Sequence, residues 1–196
     1  MQLFLASGSP RRRELLTQIG VPFTLMSAPD IDETPLPGEH GADYVQRLAL
    51  EKAQAGWRAL TTQDEACVLG ADTVVMYQDQ LLGKPTDAQH AKEILSFLSG
   101  TAHQVLTGVA LCGEAGCEAF VSVTDVTMRP LSAEDIARYI ATGEPFDKAG
   151  AYGIQGYGAA LISGITGCYS TVVGLPLAET AHMLERAGVP IWQNNP

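Results

Sequence analysis

The sequence predicts an α/β fold, a mixed twisted sheet flanked by helices, on three observations. Apolar runs of strand length alternate with segments of helical period along the whole chain. One run, CVLGADTVVM, is apolar at consecutive positions, the pattern of a strand buried on both faces. The connections are of two kinds, tight turns that make hairpins and helical segments that make crossovers, so the sheet is expected to be mixed.

In chain order, Gln2 to Ala6 reads as a strand that feeds a short loop and a helix. That helix starts with Ser9 as N-cap and Pro10 at its first position, and carries Leu15, Leu16 and Ile19 on one face. A second strand is expected around Phe23 to Met26, then an exposed loop, APDIDETPLPGEHG. A long helix over about Asp43 to Trp57 turns Val45, Leu48, Ala49, Ala53 and Gly56 inward, with Lys52 on the same stripe. The apolar strand follows, interrupted by Asp72, then a hairpin through Tyr77 to Gln80 and the turn LGKP. Thr86 with Gln89 forms a capping box for a helix that Gly100 closes. Two β runs, His103 to Leu111 and Phe120 to Met128, are joined by GEAGCE. Ser132 with Asp135 opens another helix, ending at Gly143. The glycine-rich stretch DKAGAYGIQGYGAALI leads into a short strand, a β run at Tyr169 to Val173, and a final helix beginning near Pro176.

With 196 residues, 46% hydrophobic and 17% charged, the chain suits a single domain over its whole length, 1–196. Cys67, Cys112, Cys117 and Cys168 form no CxxC pair, which suggests neither a disulfide framework nor a zinc knuckle and fits a reducing, cytoplasmic setting. Met1 to Ala6 has no basic region before it and runs straight into SGSPRRRELL, so it reads as a strand and not as a signal peptide. No apolar run approaches the roughly 18 residues that span a bilayer. A net charge of −10 excludes a nucleic-acid platform, whose affinity comes from many cations displacing counterions. It leaves room for one small phosphate ligand if the few cations are gathered.

Ser7, Gly8, Ser9, Arg11 and Arg12 lie at a strand-to-helix junction, where free N–H groups, small residues and guanidinium groups together make an anion site. The alternative is an ordinary capped helix with solvated arginines. Asp72 is the sharpest signal, because a carboxylate in an apolar strand must meet a metal, a cation or a strand end. Glu33 could supply a second metal ligand, as could Asp30 or Asp32 in the same acidic loop, although the residues alone favour an ordinary solvated surface loop. Lys52, on a buried stripe, and Lys84, in a Gly-Lys-Pro turn, are placed to reach a polyphosphate, unless their stems simply cover apolar surface. Half of the twelve basic residues, namely Arg11, Arg12, Arg13, Lys52, Lys84 and Lys148, occupy such junctions, stripes or turns. That inventory suits phosphoryl chemistry, with cations balancing phosphate charge and a metal or carboxylate activating water. There is no GxxxxGK[ST], and Gly150, Gly153 and Gly156 have the wrong spacing for GxGxxG. HExxH and GxSxG are absent too, and His103 reads as a strand residue, not a ligand.

Six motifs in order, SGSPRR at 7–12, Glu33, RLALEKA at 47–53, GADTVV at 70–75, GKP at 83–85 and DKAGAYGIQG at 147–156, resemble the Maf nucleotide pyrophosphatases nearly end to end. The resemblance implies two lobes around a deep cleft, frequent homodimerisation, and cleavage between the α and β phosphates of a nucleoside triphosphate with Mg2+ or Mn2+. It makes Asp72 the proton acceptor, Ser7, Arg12, Lys52 and Lys84 phosphate ligands, and Glu33 with Asp72 the metal ligands. Arg11, Thr73 and Gln155 are similar to the specificity residues of the branch associated with dTTP and UTP. A glutamine amide, which both donates and accepts, suits the O4 and N3–H edge of thymine and uracil. The rival expectations are an inosine or xanthosine triphosphate pyrophosphatase of similar architecture, and a nucleotide-responsive module acting on septum formation through partners.

Overall fold

The amino-terminal run forms β1 (Gln2–Leu5), with Leu3 and Leu5 buried and Gln2 exposed on the alternate positions. The computed structural model, which describes residues 1–193, pairs β1 in parallel with both β2 (Thr24–Leu25) and β3 (Ala66–Tyr77). Parallel neighbours require crossovers, and α1 (Pro10–Gln18) and α2 (Gly41–Ala59) supply them. β3 turns back into β4 (Gln80–Leu82) through Gln78 and Asp79, both at positive φ (49° and 62°), as a two-residue hairpin demands. Then come α3 (Ala88–Leu98), the long hairpin of β5 (Ala102–Gly113) and β6 (Gly116–Met128), and α4 (Ala133–Ile140). Three short 3-10 turns, Glu144–Asp147, Ala149–Ala151 and Tyr157–Leu161, lead to β7 (Ile162–Thr166), which pairs antiparallel with β6. The sheet order is β2-β1-β3-β5-β6-β7, with β4 on the distal half of β3, so the sheet is mixed as the sequence predicts.

The chain divides into two units. The first holds Met1–Asp72, Thr107–Ser122 and the chain from Gly174 onward. Its α2 buries Val45, Leu48, Ala49, Ala53 and Gly56, the stripe expected from the sequence. Gly70 lets that helix approach β3 closely, since a Cβ at Gly70 would lie 2.6 Å from the Ala53 backbone nitrogen. The second unit, Thr73–Leu106 with Val123–Val173, is built on Val75, Ile94, Leu95, Leu98, Val105, Ile136 and Tyr139. Ser132 and Asp135 form the expected reciprocal capping box of α4. No described helix is long and apolar enough to cross a membrane.

Three local expectations are corrected, and a fourth holds by backbone alone. Tyr169–Val173 is a helical turn, α5, and not a strand. Its β-branched residues favour a ladder, but Gly167 and Gly174 bracket it with positive φ, and the Thr124 hydroxyl bonds both the N–H and the C=O of Cys168, which turns the chain just before it. The N-cap of α3 is Asp87, whose carboxylate accepts from the His90 N–H at 2.8 Å, while Thr86 engages the His90 ring. Ser9 is the N-cap of α1 by backbone, yet its side chain makes no capping bond. Cys112 and Cys117 form a disulfide across the end of the β5–β6 hairpin. The turn between them brings residues with no CxxC spacing to a Cα separation of 4.1 Å. After α6 (Leu177–Arg186) the chain returns to the first unit's edge, where Trp192 and Gln193 pair their N–H groups with the Ile19 and Gly20 carbonyls. Residues 194–196 of the IWQNNP tail lie outside the described residues.

Candidate active site

β3 is buried without interruption from Ala66 to Ala71 and first emerges at Asp72, whose side chain is 14% exposed. Of the partners such a carboxylate requires, the structure supplies a cation. The Lys52 ammonium, delivered from the inner stripe of α2, lies 2.6 Å from Asp72 Oδ1 and 2.7 Å from Glu33 Oε1. Two carboxylates from sequence-distant elements thus converge on one nitrogen. Gly70, two residues before Asp72, permits the close helix–strand approach that makes this possible. Lys52 is therefore no snorkelling lysine, since its side chain is only 13% exposed and its ammonium is paired on two sides.

The strand-to-helix junction contributes the second half of the cluster. Ser7 is buried, and its Oγ accepts from the Ser9 N–H at 3.2 Å and from Arg12 Nη1 at 3.1 Å. Arg12 Nε donates to the Gly174 carbonyl at 2.9 Å, which aims the guanidinium. Burial lowers the Arg12 guanidinium below its ordinary value, opposed by the charge of Asp72, reinforced by Arg11 and opposed again by Glu33. Those couplings place Arg12, Arg11, Asp72 and Glu33 in one electrostatic neighbourhood.

The acidic loop is held by residues the sequence reading gave no role. The Tyr44 hydroxyl donates to the Glu33 carbonyl at 2.9 Å. Burial pushes that hydroxyl up to about 12, with the charges of Asp72 and Glu33 adding to the rise. Arg47 forks onto Glu39, Nε at 2.6 Å and Nη2 at 2.8 Å, and also donates to the Thr34 carbonyl. The fork draws the Glu39 carboxylate down to about 2. Arg47 belongs to the RLALEKA motif, and its i,i+4 spacing to Glu51, which it meets at 3.4 Å, is the signal that could have found it. The structure brings together Ser7, Arg11, Arg12, Glu33, Lys52 and Asp72, all in the first unit. Thr73, Lys84 and Gln155 belong to the second. Thr73 follows Asp72 on β3, Lys84 is exposed in the turn after β4, and Gln155 is exposed in the glycine-rich loop. The Gly150 N–H donates to the Gly83 carbonyl at 3.1 Å, so the GKP and DKAG motifs share a backbone bond. Of the loop's three candidate acids, Glu33 is the one that pairs with Lys52.

The Maf-like protein family model matches residues 2–187. This chain belongs to the Maf-like family. A dTTP/UTP pyrophosphatase of Alcanivorax borkumensis is 53% identical to this Maf protein over 98% of the chain and 99% of its own length. One of Hahella chejuensis is 50% identical over 98% of the chain and 96% of its own. Among solved structures, a nucleoside-triphosphatase (dITP/XTP pyrophosphatase) of Mycobacterium abscessus aligns over 96% of the chain and 95% of its own, at 18% identity and a TM-score of 0.46.

Proposed function

We propose that this Maf protein is a hydrolase that cleaves dTTP and UTP between the α and β phosphates, releasing the nucleoside monophosphate and pyrophosphate. The observation that carries the reading is the Lys52 ammonium bonded to both Glu33 and Asp72, beside an arginine aimed from a strand-to-helix junction. The names of relatives that match the chain over nearly its full length support the same activity and the same two substrates.

In this reading the water oxygen bonds to the α-phosphorus, its proton passes to Asp72, and the α–β bridging oxygen leaves with pyrophosphate. Ser7 and Arg12 bind phosphate oxygens at the helix start, and Lys52 and Lys84 offset the charge that develops on the leaving group. Arg11, Thr73 and Gln155 select the base. Among the described residues no group of three His, Cys, Asp or Glu side chains forms a closed metal cage. Two carboxylates are nonetheless the donor set that suits Mg2+ or Mn2+, which take one or two protein carboxylates and complete their shell with water and substrate phosphates. Glu33 and Asp72 would hold such an ion, and its chemistry there is to neutralise phosphate charge and polarise the phosphorus. The chain acts as a homodimer in this reading.

The test is pyrophosphate release from a panel of pyrimidine and purine triphosphates with Mg2+ or Mn2+, comparing the native chain with Asp72→Asn. Release from dTTP and UTP that falls by about 1,000-fold in the variant supports both reaction and proton acceptor. A preference for inosine or xanthosine triphosphate overturns the substrate assignment, and undiminished turnover by the variant overturns the role of Asp72.

A further inference from the structure

The glycine-rich stretch after Lys148 lacks phosphate-loop spacing, and the structure gives its glycines a different purpose. Glu144 opens the 3-10 turn Glu144–Asp147, directly after Gly143. Its Oε1 accepts from the Tyr139 hydroxyl at 2.8 Å and from the Gly158 N–H at 2.9 Å, and its Oε2 accepts from the Tyr157 N–H at 2.7 Å. The Tyr139 hydroxyl, having donated to Glu144, accepts from the Gly153 N–H at 3.1 Å. One Tyr–Glu pair therefore pins residues 153–158 at both ends. Gln155 stands exposed between the pins.

The glycines are where this clamp comes too close for a side chain. A Cβ at Gly156 would collide with Glu144 Oε2, and one at Gly158 would lie 2.7 Å from the Tyr139 hydroxyl. Two further contacts brace the clamp. Lys148 Nζ donates to the Glu144 carbonyl at 2.9 Å, and the Tyr152 hydroxyl, just ahead of the pinned segment, is bonded to His103 Nε2 at 2.7 Å. Burial alone would raise the Glu144 carboxyl, but the Gly158 N–H, the Tyr139 hydroxyl and the Tyr157 N–H carry it below its ordinary value, so it is ionised and acts only as an acceptor. A charged acceptor shared by three neutral donors makes strong, directional bonds.

We propose that Tyr139 and Glu144 are positioning residues for nucleobase selection: they fix residues 153–158 in the single shape that presents the Gln155 amide to the base. The inference rests on the reading that Gln155 meets the base. It predicts a division of labour, because the clamp touches none of the groups assigned to the phosphates. Weakening it spares polyphosphate binding and blurs the distinction between a base with O4 and N3–H and one with an amine at C4 and an unprotonated N3.

The experiment is a double-mutant cycle on Tyr139→Phe and Gln155→Ala, reading kcat and KM for dTTP and dCTP and inhibition by inorganic tripolyphosphate. Tyr139→Phe keeps the buried ring and removes only the hydroxyl, so α4 stays packed. The expected result is a KM for dTTP raised about 10-fold with kcat nearly kept, and a dTTP-to-dCTP preference cut by about 5-fold or more, as for loss of one buried polar contact. Tripolyphosphate inhibition stays within about 2-fold of native, and the double variant discriminates no worse than Gln155→Ala alone. Glu144→Gln, which sets an amide N–H against a backbone N–H, should repeat the KM effect more strongly. An unchanged preference in Tyr139→Phe, fully additive effects, or tripolyphosphate inhibition that weakens in step with dTTP overturns the proposal. A native chain that releases no pyrophosphate from dTTP or UTP overturns the activity reading instead, so the two failures are distinguishable.

Discussion

The two units each hold a loop that carries a proposed site residue, and they hold it by opposite chemistry. In the first, the acidic loop with Glu33 is fixed largely by charges: Lys52 against Glu33 and Asp72, and Arg47 against Glu39. In the second, the loop with Gln155 is fixed by one carboxylate and two hydroxyls bonded to backbone N–H groups and to a neutral ring nitrogen. The difference teaches what each region is built to do. Charged groups paired with each other can exchange those partners for a charged ligand at modest net cost, because a phosphate or a metal replaces like with like. Bonds to the backbone have no such substitute and serve to preserve a shape.

The sharpest way to break this comparison is to remove the cation that both acids share. Lys52→Met keeps the stem on its buried stripe and leaves Glu33 and Asp72 facing the same empty position. The expected loss in kcat/KM for dTTP is about 100-fold, or ~2.7 kcal/mol of transition-state stabilisation. Lys52→Arg should recover little of it, since a planar fork cannot replace a point charge between two oxygens. Turnover near the native rate in the Met variant would mean that the convergence on Lys52 is only structural.

The contrast also explains what was legible in the sequence. The first unit's site was readable because charge is out of place there: Asp72 inside an apolar run, Lys52 on an apolar stripe, Arg12 at a helix start. Each anomaly demands a partner, and the structure supplied them among one another. The second unit's clamp was not readable, because Tyr139 looks like a core residue and Glu144 like a solvated acid beside Gly143. Their roles depend on backbone N–H groups, which a sequence does not display. The fold followed the same rule. The strand-and-helix alternation and the α2 stripe were correctly anticipated from periodicity. The helical turn at Tyr169–Val173 and the Cys112–Cys117 bridge were missed because local β propensity and cysteine spacing say nothing of which tertiary bond forms.

A pH titration of stability separates the two regions by window. His103 is 3% exposed, its Nε2 meets the Tyr152 hydroxyl, and its Nδ1 has no partner among the described residues. Burial pushes it down to about 4. Its folded value lies below the unfolded value near 6.5, so the unfolded chain binds the extra proton first, and stability falls as pH drops from about 6.5 toward 4. The loss from this one group is about 2 kcal/mol by pH 5. Glu39, drawn down from 4.5 to about 2, is displaced in the same direction, so its contribution is also lost as pH falls, but only below pH 4.5. Thermal melts of the native chain and His103→Gln between pH 7 and 4.5 should diverge, with the variant flatter. Parallel curves would show that the buried imidazole does not govern this window.

The smallest effect belongs to Tyr44, and it asks whether backbone-directed bonding also matters in the charged unit. Its hydroxyl donates to the Glu33 carbonyl rather than to the carboxylate, so it shapes the loop without touching the ion pair. Tyr44→Phe removes one part-exposed hydrogen bond, worth about 1 kcal/mol, and leaves Lys52, Asp72 and Arg12 in place. If Glu33 holds the divalent cation, the apparent Mn2+ requirement should rise about 5-fold, while the rate at saturating Mn2+ stays close to native. Because burial and the neighbouring acids keep the Tyr44 hydroxyl protonated up to about 12, the native chain retains the donor throughout, and the deficit should be the same at pH 7 and pH 9. A lowered rate that Mn2+ does not restore would instead assign Tyr44 to the reacting groups, and the first unit would then have no counterpart to the second unit's clamp.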